Sequence, residues 1–155
     1  PKGRTGQSTP QATHLIKVAC ETALGKRAKL EVFGTDYPTP DGTCIRDYIH
    51  VSDLARAHSA ALGYLRRGGA NVTFNCGYGR GASVIEVIEA VRLATGRDFP
   101  VEISARRDGD PAALVADVDR IRATLDWRPQ YQDLDTIVSH ALTWEKRLPG
   151  KRASA

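Results

Sequence analysis

Apolar positions along this chain keep two rhythms, a helical one and a strand-like one, and glycine, proline or a capping side chain marks each change between them. Residues 1–10 have no rhythm and read as a loop. Over 11–25, Leu15, Ala19, Thr22 and Ala23 share one helical face, Ile16 and Cys20 widen it, and Gly25 suits the C-terminal cap. Leu30–Phe33 reads as a short strand, 35–43 as a proline- and glycine-bearing turn, and Cys44–Val51 as an extended segment. Ser52 is the expected cap of a helix to Arg66, with Leu54, His58, Ala61, Leu62 and Leu65 on its apolar face and Gly68-Gly69 after it.

Val72–Cys76 is β-branched and aromatic, and reads as a buried strand. The glycine loop 77–81 follows. Ser83 and Glu86 have the spacing of a capping box for a helix to Thr95, which Gly96 ends and whose core face is Val84, Ile88 and Val91. Pro100–Ser104 reads as a strand and 117–125 as a short helix stopped by Trp127-Arg128-Pro129. Asp133 caps a last helix with Leu134, Ile137, Val138, Ala141, Leu142 and Trp144 as its apolar stripe. Residues 149–155 read as a disordered tail. Alternating strands and helices predict an α/β fold, and no internal repeat is visible.

Composition narrows the class without naming it. The length of 155 residues suits one domain, and 41% apolar and 26% charged residues are ordinary for a globular protein. No apolar run approaches the roughly 20 residues that span a bilayer, and no secretory leader is visible, so no membrane partner is expected. Cys20, Cys44 and Cys76 are odd in number and dispersed, which argues against a disulfide framework or a zinc site and for reduced thiols in the cytoplasm. The net charge of +4 is scattered and lacks interleaved aromatics, so no nucleic acid is expected. The chain opens on Pro1 and contains no methionine, from which we expect a piece of a longer protein.

Candidate chemistry sits in the loops. Gly77-x-Gly79-x-Gly81 lies between a strand and a helix, as a dinucleotide cradle would. It lacks the Gly-x-Gly-x-x-Gly spacing and the acidic residue about 20 positions on, which favours a tight turn. Arg46 either pairs with Asp41 or Asp47 or offers its planar fork to a diphosphate. In Arg106-Arg107-Asp108-Gly109-Asp110 the charges either satisfy one another or give an arginine to phosphate and an aspartate to sugar hydroxyls. The four histidines have no metal-ligand spacing, and His58 reads as a satisfied, half-buried residue. No Tyr-x-x-x-Lys pattern and no nucleophile elbow are present, so no catalytic residue is assigned.

Several segments together resemble one family. LEVFGTDYPTPD over 30–41, GTCIRDYIHVSDLA over 42–55, FNCGYGRG over 74–81 and RRDGDP over 106–111, with Thr13-His14-Leu15-Ile16 and Ala116-Asp117, are similar to the C-terminal part of the bacterial UDP-glucose 4-epimerase family, within the extended short-chain dehydrogenases. The resemblance covers residues 3–148 and assigns 11–148 to nucleotide-sugar binding. It implies the C-terminal portion of a Rossmann-type parallel sheet with the small substrate-binding domain.

The same resemblance implies site roles. Backbone groups of Glu31, Val32 and Phe33 hold the uracil edge. His14 and Leu15 lie against the diphosphate and ribose, Arg46 and Arg107 bind the diphosphate, Asp110 binds the ribose, and Tyr48 and Val84 line the cleft. Where some members carry tyrosine this chain has Leu114. In the family, a bound NAD takes hydride from the hexose C4 while a tyrosine takes the hydroxyl proton. The 4-keto sugar turns over and hydride returns to its other face. The NAD-binding turn and the Tyr-x-x-x-Lys lie ahead of Pro1 in such proteins. The resemblance thus implies UDP-glucose and UDP-galactose as ligands, NAD bound mainly by a part this chain lacks, a homodimeric parent, and a chain inactive and poorly stable alone, with open strand edges and an uncovered apolar face. Another nucleotide-sugar epimerase or dehydratase, or a non-catalytic binding remnant, remains an alternative.

Overall fold

Three helices and a parallel strand pair build the larger core. The computed structural model describes residues 6–9 and 11–149, so the expected tail over 149–155 lies outside the described residues except for Pro149, and only part of the expected loop over 1–10 is within them. Helix α1 is Leu15–Ala23, shorter than the expected 11–25 because Thr13 and His14 stay out of the helix and His14, at the N-cap, is extended with no side-chain cap. Strand β1 is Leu30–Phe33, and β2 is only Ile45–Arg46. Helix α2 is Val51–Arg66 and β3 is Ala82–Ser83. Helix α3 is Val84–Thr95 and β4 is Val101–Ser104. Strand β5 is Ala113–Leu114, α4 is Asp119–Thr124 and α5 is Leu134–Arg147.

Strands β1 and β4 pair in parallel with Leu30 opposite Val101. A second sheet runs in the order β3-β2-β5, antiparallel then parallel, with Ile45 opposite Ser83 and Ala113. Helices α1, α3 and α5 close over β1 around Ala19, Cys20, Leu30, Val32, Ile88, Val91, Val138 and Leu142. A smaller core joins α2 and α4 through Ala57, Val118, Ile121, Leu125 and Trp127. Parallel strands with covering helices make this an α/β chain, as expected. No helix among the described residues is long and apolar enough to cross a membrane.

The capping box forms as its spacing predicts. The Ser83 hydroxyl accepts from the Glu86 N–H at 3.0 Å, Glu86 accepts from the Ser83 N–H at 2.6 Å, and Gly96 ends α3 at φ 64. Elsewhere the tertiary contacts override the pattern. The cap of α2 is His50, not Ser52, because the imidazole Nδ1 reaches back to accept the Ser52 N–H at 3.0 Å. Much of the expected apolar face of α2 points outward, with Leu62 and Leu65 each 50% exposed, and of that face Ala61 packs on the smaller core. The inward face is instead set by Asp53 and Ala57, which are buried. His58 is exposed, with Nδ1 2.8 Å from the Leu54 carbonyl. Residues 72–76 are not a buried strand. They find no ladder partner among the described residues, and only Phe74 and Cys76 turn inward, onto the smaller core.

Candidate nucleotide-binding site

One tight turn gathers four of the candidate residues. Gly109 takes φ 81, a left-handed conformation that suits glycine, and the Asp110 N–H bonds the Arg107 carbonyl at 3.3 Å. From this turn Asp110 reaches Arg46, whose Nη2 lies 3.3 Å from Asp110 Oδ1. Arg46 Nη1 also donates to the carbonyls of Ile45 and Pro111, at 2.8 and 2.9 Å. Arg46 therefore pairs with neither Asp41 nor Asp47, but with another site candidate.

Arg107 turns the other way. Its guanidinium carbon lies 3.6 Å from the centroid of the Phe33 ring. Stacking occupies the face of a guanidinium and leaves its in-plane N–H groups available. Among the described residues, no carboxylate or carbonyl pairs with those groups. The self-satisfied surface network weighed for residues 106–110 does not form: Arg106 is held by Asp36, Asp110 by Arg46, and Arg107 by an aromatic ring.

Strand β1 adds a polar edge beside Phe33. Leu30 N–H bonds Pro100 O and Gly34 N–H bonds Ser104 O, both at 2.9 Å, so the even-numbered residues face β4. The N–H and C=O groups of Glu31 and Phe33 consequently turn to the opposite edge, which has no strand partner among the described residues. The backbone of Val32 is spent on the ladder and its side chain is in the core.

The remaining candidates stand further off. Val84 opens α3 directly after β3, its N–H on the Cys44 carbonyl at 3.1 Å, which ties it to the strand that carries Arg46. Tyr48 lines a cleft of about 240 Å³ with Tyr78, Arg80, Glu86 and Asp133, and burial pushes its phenol up to about 12. Leu15 packs against the larger core, and His14 lies 2.9 Å from Gln7. No hydrogen bond or ion pair joins either to the arginines among the described residues.

The glycine loop holds an anion, but the chain's own. Asp47 accepts from the N–H groups of Tyr78 at 2.9 Å, Gly79 at 3.0 Å and Ala116 at 3.3 Å. A Cβ at Gly77 would strike the same carboxylate. The loop is thus a filled nest, and a dinucleotide pyrophosphate does not fit there. Beside it, Asp53 is fully buried and accepts from Gln130 N–H at 3.0 Å, Tyr131 N–H at 2.8 Å and the Tyr78 hydroxyl at 2.9 Å. Burial opposes its charge, and these donors outweigh burial and hold its carboxyl below the usual range. Among the described residues no metal-ligand cluster is present.

Sequence reasoning missed three participants: the Phe33 ring, Tyr37 and Asp36. The available signal was the spacing of two aromatics and an acid around Gly34, matched by two adjacent arginines.

Comparison with known proteins sharpens this picture. The model of the NAD dependent epimerase/dehydratase family matches residues 2–77. The chain is 61% identical over 148 residues to a UDP-glucose 4-epimerase of Azospirillum brasilense, covering 96% of this chain and 42% of that protein. Among solved structures it resembles the UDP-Glc/GlcNAc 4-epimerase of Campylobacter jejuni, at 55% identity and a TM-score of 0.80 over 92% of this chain and 43% of that one. It also resembles the Bifidobacterium longum UDP-glucose 4-epimerase in complex with NAD+ and UDP, at 35% identity and a TM-score of 0.86 over 96% and 44%. The chain spans less than half the length of these relatives.

Proposed function

We propose that the chain, whose residues 2–77 match the NAD dependent epimerase/dehydratase family model, is a member of that family and forms the nucleotide-sugar wall of a UDP-glucose 4-epimerase, which interconverts UDP-glucose and UDP-galactose. One observation carries the proposal. Among the described residues, the turn 107–110 presents a guanidinium with no ion-pair partner on the Phe33 ring and a carboxylate on Arg46, beside the unpaired polar edge of β1.

Each part has a matching ligand group. Uracil carries carbonyl acceptors and an N–H donor along one edge, which Glu31 and Phe33 backbone groups complement. The in-plane donors of Arg107 suit a diphosphate through charge-assisted bonds. A ribose diol suits Asp110, which then releases Arg46 to the second phosphate. Anchoring the diphosphate firmly while holding the hexose loosely lets a 4-keto sugar present either face, so these arginines serve the reaction as well as affinity.

NAD supplies hydride transfer in this family. The one glycine loop that resembles a cradle for it is filled by Asp47, so we assign the cofactor to residues outside this chain and expect no turnover of UDP-galactose by the chain alone. The test of the wall is direct. In the intact protein, Arg46→Ala should weaken UDP binding by about 1.5–3 kcal/mol, the worth of hydrogen bonds to charged groups. Unchanged affinity in calorimetry would return Arg46 to a purely structural role.

A further inference from the structure

Arg106 and Arg107 are neighbours with opposite commitments. Arg106 donates from Nε to Asp36 Oδ1 at 2.6 Å and from Nη2 to the Asp36 carbonyl. Its guanidinium carbon lies 4.2 Å from the centroid of the Tyr37 ring. One edge of its fork and one face are thereby engaged, 70 residues away along the chain. Arg107 pairs with no carboxylate or carbonyl among the described residues, and only its face is engaged, by Phe33.

The clasp on Arg106 rests on a rigid base. Tyr37 is 6% exposed, and its N–H bonds the Gly42 carbonyl at 2.9 Å. Gly34, at φ 82, lets Tyr37 and Arg106 close in: a Cβ there would stand 2.6 Å from Arg106 Cγ and 2.7 Å from Tyr37 Cε2. The Gly34 N–H also ends the β1–β4 ladder on Ser104, two residues before Arg106.

We propose that Arg106 is a positioning residue, clasped by Asp36 and Tyr37 so that the backbone delivers Arg107 onto Phe33 with its donors aimed at the nucleotide's diphosphate. The proposal rests on Arg107 as the diphosphate ligand. Its logic is one of pre-organisation. A long arginine side chain loses much rotamer freedom when it binds, and fixing the preceding residue and stacking its face removes part of that loss beforehand. Arg106 itself, with its fork already turned to Asp36, contributes no bond to the ligand.

The test is a double-mutant cycle in the intact protein, reading UDP and uridine affinities by calorimetry for the unaltered chain, Arg106→Gln, Arg107→Ala and the double variant. Arg107→Ala should weaken UDP by about tenfold or more, as for the loss of one charged hydrogen bond, and leave uridine unchanged. Arg106→Gln should weaken UDP severalfold, leave uridine unchanged, and cost nothing further once Arg107 is gone. Asp36→Ala, which keeps both arginines, should reproduce Arg106→Gln. Losses that multiply in the double variant would make Arg106 an independent contributor and overturn the proposal. So would a parallel loss of uridine and UDP in Arg106→Gln, which marks general loosening, or an unchanged UDP affinity in that variant. If Arg107→Ala leaves UDP binding intact, the assignment of Arg107 to the diphosphate fails first and takes the proposal with it.

Discussion

Single side chains here are committed by partners far away in sequence. His50 shows this most fully. Its Nδ1 caps α2, its Nε2 lies 3.0 Å from His140 Nδ1 on α5, and its ring lies 4.6 Å from that of Tyr131. Because Nδ1 accepts from Ser52, the proton sits on Nε2 and His140 is the acceptor, so both rings are neutral. Burial, then His140 and Arg56, push His50 down against a raising pull from Asp53, and burial pushes His140 down. The sign follows from linkage. A folded state that resists protonation keeps its stability above the unfolded histidine value of about 6.5 and loses it as pH falls toward the lower folded value. Protonation also removes the cap, an interaction worth about 0.5–2 kcal/mol. Denaturant midpoints should therefore drop between pH 7.5 and 5.5, and His50→Asn, which keeps a capping oxygen, should shrink that drop. Equal drops in both proteins would count against the pair.

Between elements, polar clamps decide the packing as much as apolar faces do. Lys17 lies on the buried side of α1, 7% exposed, and its ammonium bonds Glu145 of α5 and lies 3.2 Å from Glu21. Burial works to lower it, and the bonds to Glu145 and Glu21 outweigh burial and hold it above its ordinary value. Removing one partner of a buried pair strands the other charge, at a cost of about 3–5 kcal/mol, and Lys26, which stays 4.0 Å from Glu145 Oε2, holds the expected cost to the lower end of that range. Lys17→Ala should cost that much in chemical denaturation, and Lys17→Ala with Glu145→Leu should recover most of it. A single variant within about 1 kcal/mol of the unaltered protein would mean that Glu145 reaches water. The capping box, Gly96 and the apolar face of α5 were legible in sequence because each depends on residues within a turn or two. The cap of α2 and the outward roll of its leucines were not, because Asp53 draws the opposite face inward through Gln130, Tyr131 and Tyr78, 25 to 78 positions away.

At the scale of the whole molecule, α2 leaves large apolar side chains half or more exposed among the described residues. Val51, Leu62 and Leu65 are 71%, 50% and 50% exposed, with Val72 at 39%. Exposed apolar surface binds hydrophobic dyes. The purified chain should bind anilinonaphthalene sulfonate while folded, and Leu62→Glu with Leu65→Lys should abolish most of that signal without lowering the thermal midpoint. A lowered midpoint would show that the leucines are buried in solution. The strand-like run 72–76 belongs to the same picture. Its composition calls for a sheet, and the described residues offer it no strand partner.

The sequence by itself determined the α/β alternation, the capping box, the family resemblance and the choice of candidate arginines and aspartates, since those depend on local spacing and residue chemistry. Only the tertiary structure decided what each charge does. Arg46 and Asp110 stand 64 positions apart, Arg106 and Asp36 stand 70 apart, and the glycine loop closes on Asp47 from 31 positions away. Charges choose among partners by distance in space, and folding sets that distance. The sequence therefore offered candidate groups for a nucleotide diphosphate, and the fold set Arg46 on Asp110 and Arg107 on the Phe33 ring.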